Sequence, residues 1–129
     1  MQTDRSKFKI LVVDDNQPAR QLIKSTLALA GYTGITEAVD GSKALDALQK
    51  RKFDLIICDW DMPATTGIEV LRAVRADEAL SAIPFLMVTA NQQRELVEAA
   101  IEAGVNDYVA KPYRLSTLNE KTAKLLGEN

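Results

Sequence analysis

The sequence contains no histidine and a single cysteine, Cys58, among its 129 residues. These two scarcities exclude a His/Cys metal centre and any catalytic triad that depends on an imidazole. One thiol cannot close an intrachain disulfide, and Cys58 stands in a strand-like context, so a reduced, cytoplasmic setting is expected. Charge of one sign is also lacking: 16 Lys and Arg stand against 18 Asp and Glu, for a formal net charge of −2. A domain whose main task is gripping DNA or RNA needs a strong basic field, so no nucleic-acid partner is expected. No apolar run reaches the ~18 residues of a membrane span, and no signal-peptide core follows the polar stretch Met1–Lys9, so no membrane insertion is expected. What is present is an ordinary globular mixture, 47% apolar and 26% charged. At this length a single domain is expected, burying roughly two thirds of its unfolded surface without help from a disulfide or metal.

Five short apolar, β-rich runs alternate with longer segments of helical period. The runs are Lys9–Val13, Gly34–Ala38, Leu55–Cys58, Pro84–Val88 and Asp107–Ala110. Between them, apolar positions recur at i, i+3 or i+4, and i+7, the repeat of a helix face. Leu22, Ile23, Thr26, Leu27 and Ala30 form one stripe, and Ala44, Ala47 and Leu48 a second. Ile68, Leu71 and Val74 form a third, Leu96, Val97, Ala100 and Ile101 a fourth, and Leu118, Thr122 and Leu125 a fifth. Pro18 suits a first helical turn, while Gly31 and Gly104 fall where helices should end. Strict β-α alternation with short connections predicts an α/β fold, a parallel sheet with helices on both faces. Leu55–Cys58 and Phe85–Val88 are continuously apolar, as strands covered on both sides should be. No linker, repeat or low-complexity tract interrupts the pattern, and the short ends leave no room for an appended effector domain.

Ligands of such sheets bind outside the carboxyl ends of the strands. Strand one ends in Asp14 and Asp15, strand three in Asp59 followed by Asp61, strand four in Thr89, and strand five in Lys111 and Pro112. The second strand offers nothing comparable. Carboxylates crowded at one edge repel: two unit charges about 4 Å apart cost roughly 4 kcal/mol at an effective dielectric of about 20. A retained proton or a hard cation relieves this, and an all-oxygen donor set favours Mg²⁺ over zinc. Mg²⁺ keeps open positions for a phosphoryl oxygen, beside which Lys111 would supply a second positive charge and Thr89 a hydroxyl. An ionised Asp is then itself a nucleophile, giving an aspartyl phosphate. Taken singly, these residues have plainer readings: Asp14 and Asp15 as a helix N-cap pair, Thr89 as a cap for the segment from Asn91, Lys111 as a solvated lysine. Asp59 resists such a reading, because a carboxylate closing an apolar run needs a partner or a proton.

The stretches Ile10–Asp15, Cys58–Pro63 with Gly67, Val88–Ala90 and Ala103–Pro112 resemble the receiver domain of bacterial two-component response regulators. The likeness covers about residues 8–126 and extends, through Asp59–Pro63 and Arg75–Leu80, to single-domain receivers of the chemotaxis type. It implies a flavodoxin-like fold with strand order 2-1-3-4-5, which alternation alone leaves open. It also implies that Asp59 accepts phosphate from a histidine kinase or phosphotransfer protein. Asp15, Asp59 and the backbone carbonyl of Asp61 would hold Mg²⁺ directly, and Asp14 would act through a metal-bound water. Lys111 would pair with the acidic cluster and then the phosphoryl group, while Thr89 would swing onto a phosphoryl oxygen. Tyr108 matches the family's switch aromatic; its plainer reading is a half-buried strand tyrosine. The resemblance further implies a cis peptide bond between Lys111 and Pro112. Thr65 and Thr66 depart from the family's usual residues, and Asp61 and Asn91 occupy positions that tune dephosphorylation in it.

Bonds formed by Thr89 and Lys111 would pull on the loops entering the fourth and fifth helices, which makes that face the expected output surface. Its candidates are Gln92, Arg94, Val97, Ile101, Tyr108, Tyr113, Thr117, Lys121 and Lys124. The expected partner is a downstream target protein, the flagellar motor switch in a chemotaxis pathway, bound by a chain that is monomeric when unphosphorylated. An intermediate receiver of a phosphorelay is the alternative within the class. Two other classes compete: a haloacid-dehalogenase-type phosphatase, suggested by Asp59 and Asp61 with Thr89 and Lys111, and a phosphate-independent adaptor. Against the phosphatase stand Pro63, the acidic pair near the start of the chain and a chain short for a capped fold.

Overall fold

A computed structural model describes residues 4–63 and 65–128. After a 3-10 turn at Arg5–Lys7, five strands and five helices alternate: β1 Lys9–Val13, α1 Gln17–Leu29, β2 Gly34–Ala38, α2 Gly41–Lys50, β3 Leu55–Asp59, α3 Gly67–Ala76, β4 Phe85–Thr89, α4 Arg94–Ala103, β5 Asp107–Ala110 and α5 Leu115–Leu125. The strands form one parallel sheet in the order β2-β1-β3-β4-β5. None of the described helices is long and apolar enough to cross a membrane.

Strand parity divides the core in two. Leu11, Val13, Ile56, Cys58, Phe85 and Met87 pack under α2, α3 and α4 with Ala44, Leu71, Val74 and Ala100. The intervening residues Ile10, Val12, Leu55, Ile57, Leu86 and Val88 meet Ile23 and Leu27 of α1 and Leu118 of α5 on the other face. Each fully buried Leu, Ile or Val contributes about 1.5–3 kcal/mol, so no covalent staple is needed. Cys58 is a free thiol in this interior, and burial pushes its pKa well up, which leaves it unreactive.

Two strand boundaries shift from those read in the sequence. The third strand extends to Asp59, because Asp59 pairs in register with Val88 and the next amide, Trp60, donates to the Val88 carbonyl at 2.9 Å. The fourth begins at Phe85 and ends at Thr89: Pro84 has no N–H to give to a ladder, while the Lys111 amide reaches the Thr89 carbonyl at 2.8 Å. Asp59 and Thr89 are therefore the last rungs of hydrogen-bonded strands. Two stripe residues also face outward. Leu22 is 47% exposed, and Ile101 is 63% exposed on α4, whose only fully buried residue is Ala100.

The helix ends follow local chemistry. Asn16 caps α1, its Oδ1 accepting from the Ala19 amide at 2.9 Å, with Pro18 in the first turn. The N-cap reading of Asp14 and Asp15 therefore falls. So does that of Thr89, since the cap residue of α4 is Gln93. Gly104 ends α4 at φ +98°, a left-handed conformation that glycine adopts without cost. Gly67 opens α3 against the third strand's end, where a Cβ would stand 2.5 Å from Trp60 Cε3 and 2.9 Å from the Asp59 carbonyl oxygen. Any side chain there would displace the segment that carries Asp59.

Arg75 ties the loops at the opposite end of the sheet. Its Nε donates to the Gly104 carbonyl at 3.1 Å, one terminal nitrogen to the Ile83 carbonyl at 2.7 Å and the other to Asn106 Oδ1 at 2.8 Å. Asn106 Oδ1 also accepts from the Phe85 amide at 2.7 Å, so one fork joins α3, the entry to β4 and the turn before β5. Arg75→Ala is expected to destabilise the fold by about 2–3 kcal/mol, the range for charged hydrogen bonds to partly buried acceptors. Urea unfolding measures it; a loss below about 0.5 kcal/mol would show the fork to be idle.

Candidate functional site

Asp14 leaves β1 with every polar atom but one engaged. Its amide donates to the Ala38 carbonyl at 3.1 Å, its carbonyl accepts from an Arg20 terminal nitrogen at 2.8 Å, and its Oδ1 accepts from the Asn16 amide at 2.9 Å. The remaining oxygen, Oδ2, is buried without a hydrogen-bond partner. Asp59, only 4% exposed, lies beside it, and Asp15 is exposed at the rim. One carboxylate oxygen from each of Asp14, Asp15 and Asp59 lies within 4.8 Å of the others. Lys111 Nζ reaches over this group, 3.3 Å from Asp59 Oδ1 and 3.7 Å from Asp14 Oδ2. Four of the residues singled out in the sequence thus meet at one notch. The Lys111–Pro112 peptide that carries the lysine is cis.

One ammonium does not balance three carboxylates. Burial pushes the Asp14 carboxyl above its usual range, and the negative charge of Asp59 adds to this, while the Asn16 amide and Lys111 oppose it. An orphaned buried oxygen within an all-oxygen donor set fits a small hard divalent cation, whose bound water would satisfy Oδ2 and whose charge would offset the repulsion.

Thr89 and Asp61 are placed differently from the rest. The Thr89 hydroxyl is engaged by Asp61 and Asn91: it donates to Asp61 Oδ2 at 3.0 Å and accepts from the Asn91 amide at 2.9 Å. Asp61 also accepts from the Ala90 amide at 3.4 Å, and its own amide points to Asp59 Oδ1 at 3.5 Å. Its carboxylate therefore links the loop after β3 to the loop after β4.

The output candidates separate into exposed and engaged residues. Gln92 and Lys124 are exposed, as are Ile101 and Arg94; Arg94 pairs with Glu98 at 2.8 Å one turn on. Val97 and Thr117 are half-buried. Tyr113 packs on the α1–α5 side of the core, where burial raises its hydroxyl pKa and the charge of Asp14 raises it further. Tyr108 is half-buried on β5. Lys121 is not free for a partner: it donates to Asp107 Oδ1 at 3.0 Å and to the Tyr108 carbonyl at 2.6 Å, with its ammonium 5.4 Å from the Tyr108 ring centre.

The second strand adds no residue to the acidic group, in line with the sequence, but its Glu37 is gripped by α1. Glu37 Oε1 accepts from Arg20 Nε at 2.9 Å and from Gln21 Nε2 at 3.0 Å, while Oε2 accepts from Lys24 at 3.1 Å. Arg20 escaped notice because its charge marks it as a surface residue, yet it is only 9% exposed. Its spacing of three from Ile23 was the available signal.

The chain belongs to the response regulator receiver domain family, whose model matches residues 10–123. It is similar to the chemotaxis protein CheY of Pseudomonas aeruginosa, 49% identical over 118 residues that cover 92% of this chain and 95% of that one. Among solved structures it is similar to CheY4 of Vibrio cholerae, with TM-score 0.86 and 36% identity over 92% of this chain and 98% of that one. It is also similar to the receiver domain of a Pseudomonas aeruginosa sensor histidine kinase with a magnesium ion coordinated in its active-site cleft. There the TM-score is 0.85 and the identity 30%, over 94% of this chain and 98% of that one.

The Asp14 carboxyl supports a pH prediction. Its folded pKa lies above the unfolded one, so the stability it contributes is complete below the unfolded value, about 3.9, and is lost as pH rises through the folded value. In EDTA at pH 7, Asp14→Asn is therefore expected to melt at a higher temperature than the wild type. The gain should shrink as pH falls and the folded wild-type Asp14 takes up its proton. Scanning calorimetry from pH 7 downward checks it; a variant that melts lower at pH 7 would contradict it.

Proposed function

We propose that the chain works as a phosphoacceptor switch of a two-component system, with a receiver core spanning about residues 8–126. Asp59 accepts a phosphoryl group from a histidine kinase or phosphotransfer protein, and the altered face binds a downstream target. The observation that carries this reading is the buried Asp59 carboxylate at the end of β3, 3.3 Å from Lys111 Nζ and within 4.8 Å of two further carboxylates. Asp15, Asp59 and the Asp61 carbonyl would hold Mg²⁺, with Asp14 acting through a bound water. The magnesium in the cleft of the sensor-kinase receiver supports this choice of ion. When bound, the ion supplies charge neutralisation for the oxygens of the transferring group.

In the transfer, an Asp59 oxygen bonds to phosphorus as the donor's bond to phosphorus breaks. Lys111 follows the new negative charge from the carboxylate to the phosphoryl oxygens. The Thr89 hydroxyl now has two competing acceptors, the Asp61 carboxylate that holds it and the phosphoryl oxygen. A phosphoryl group also sets a nearly dianionic charge beside Asp61. That repulsion favours release of Thr89, which draws the β4–α4 loop inward and changes the setting of Tyr108 on the neighbouring strand. The face of α4, β5 and α5 then presents Gln92, Arg94, Val97, Ile101, Tyr108, Tyr113 and Lys121 in a new arrangement, and a target that prefers it is recruited. The likeness to CheY of Pseudomonas aeruginosa points to chemotaxis, with the flagellar motor switch as the target. The family match gives no support to a haloacid-dehalogenase-type phosphatase.

Incubated with acetyl phosphate and Mg²⁺, the wild type should take up one phosphoryl group per chain, and Asp59→Asn less than a tenth as much by intact mass. Full labelling of the variant would remove Asp59 as the acceptor. Lys111→Ala should still label but lose the phosphorylation-dependent gain in target binding, which a pull-down with the beryllofluoride-treated chain measures. Unchanged target capture by the treated Lys111→Ala chain would remove Lys111 from the switch.

A further inference from the structure

We infer that Arg20 is a positioning residue for the cation notch, setting the peptide plane between Asp14 and Asp15 from the buried side and so fixing Asp15 for ion binding. The inference rests on the divalent-ion reading above and assigns that site a residue outside the acidic cluster.

Arg20 is in an unfavourable place for a cation. It lies in the first turn of α1, where the helix macrodipole presents its positive end, and it is only 9% exposed. Burial and dipole both oppose a guanidinium there, so its retention is explained by its partners. These are specific: the Asp14 carbonyl at 2.8 Å and Glu37 Oε1 at 2.9 Å, two acceptors that a planar fork meets at once. Glu37 is held in turn by Lys24 at 3.1 Å and Gln21 at 3.0 Å, so the fork is braced on β2. The same strand supplies the Ala38 carbonyl that accepts the Asp14 amide at 3.1 Å.

The consequence falls on Asp15. Among the described residues its exposed carboxylate has no hydrogen bond and no ion pair, so only the backbone places it. The peptide leading into it begins at the Asp14 carbonyl that Arg20 grips. Without the guanidinium that carbonyl is buried and loses its donor, and the peptide is free to rotate toward another. Asp15 would turn with it, out of the 4.8 Å grouping with Asp14 and Asp59. Hydrogen-bond partners behind metal ligands commonly control affinity by 10–100-fold.

The test is Mg²⁺ titration of the intact chain, followed by calorimetry and Trp60 fluorescence, for wild type, Arg20→Met and Arg20→Lys. Arg20→Met should weaken Mg²⁺ binding about ten-fold or more, and Arg20→Lys by less, because an ammonium reaches one acceptor and not both. At saturating Mg²⁺ the acetyl phosphate labelling rate of Arg20→Met should return to within about three-fold of wild type, a rescue that a merely structural role would not give. A Kd within two-fold of wild type in a folded Arg20→Met chain overturns the inference. If that variant does not fold, Arg20→Lys decides on the same criterion. A wild-type chain with no Mg²⁺ response would instead sink the divalent-ion reading and this inference with it.

Discussion

Three carboxylates held within 4.8 Å of one another, two of them buried, form an arrangement that electrostatics alone would disperse. At that spacing each pair of charges is unfavourable by several kcal/mol unless a cation or a proton intervenes. The fold must therefore hold them from outside the notch, and it does so through main chain. Asp59 is the last rung of β3, paired with Val88 and backed by glycine-only space at Gly67. Asp14 is pinned through its amide, its carbonyl and one carboxylate oxygen. The stability of the two-sided apolar core is what sustains this local repulsion, which a bound small cation would relieve.

In the proposed switch, the same constraint would couple the site to a distant face. A phosphoryl group on Asp59 would raise the negative charge at an edge where Asp61 already holds Thr89 by a 3.0 Å bond. Thr89 and Lys111 end neighbouring strands, and the Lys111 amide is bonded to the Thr89 carbonyl at 2.8 Å. A shift of either strand end is felt by the other and by Tyr108, whose carbonyl and ring are both held by Lys121. The proposed output surface is part exposed, at Ile101 and Gln92, and part strapped to the body, at Lys121 and Tyr113. Such a mixture suits a surface that must differ between two states.

Much of this was legible in one dimension. Alternation of period 2 and period 3.6 gave the α/β class, because strands covered on both faces must be continuously apolar and the intervening helices must each turn one stripe inward. Three of the five strands matched their sequence bounds to the residue. Asp14, Asp15, Asp59 and Lys111 were visible as polar residues at strand ends, where backbone direction alone forces side chains to one edge. Strand order was not visible in the alternation; it came through the resemblance. Leu22 was misplaced because a stripe read at helical spacing does not reveal how wide a face its neighbours cover; Ile101, read both as a stripe residue and as an output candidate, keeps only the second reading.

What the linear pattern determined, then, was which residues reach the carboxyl edge of the sheet, since that follows from strand polarity and spacing. What only the tertiary structure decided was how they are held there. The grip of Arg20 on Asp14, its brace on Glu37, and the turn of Thr89 toward Asp61 join residues that are 6, 17 and 28 positions apart. Such bonds require separate chain segments to be placed to within a few tenths of an ångström. No local propensity encodes these distances; they arise only when the helices settle onto the sheet.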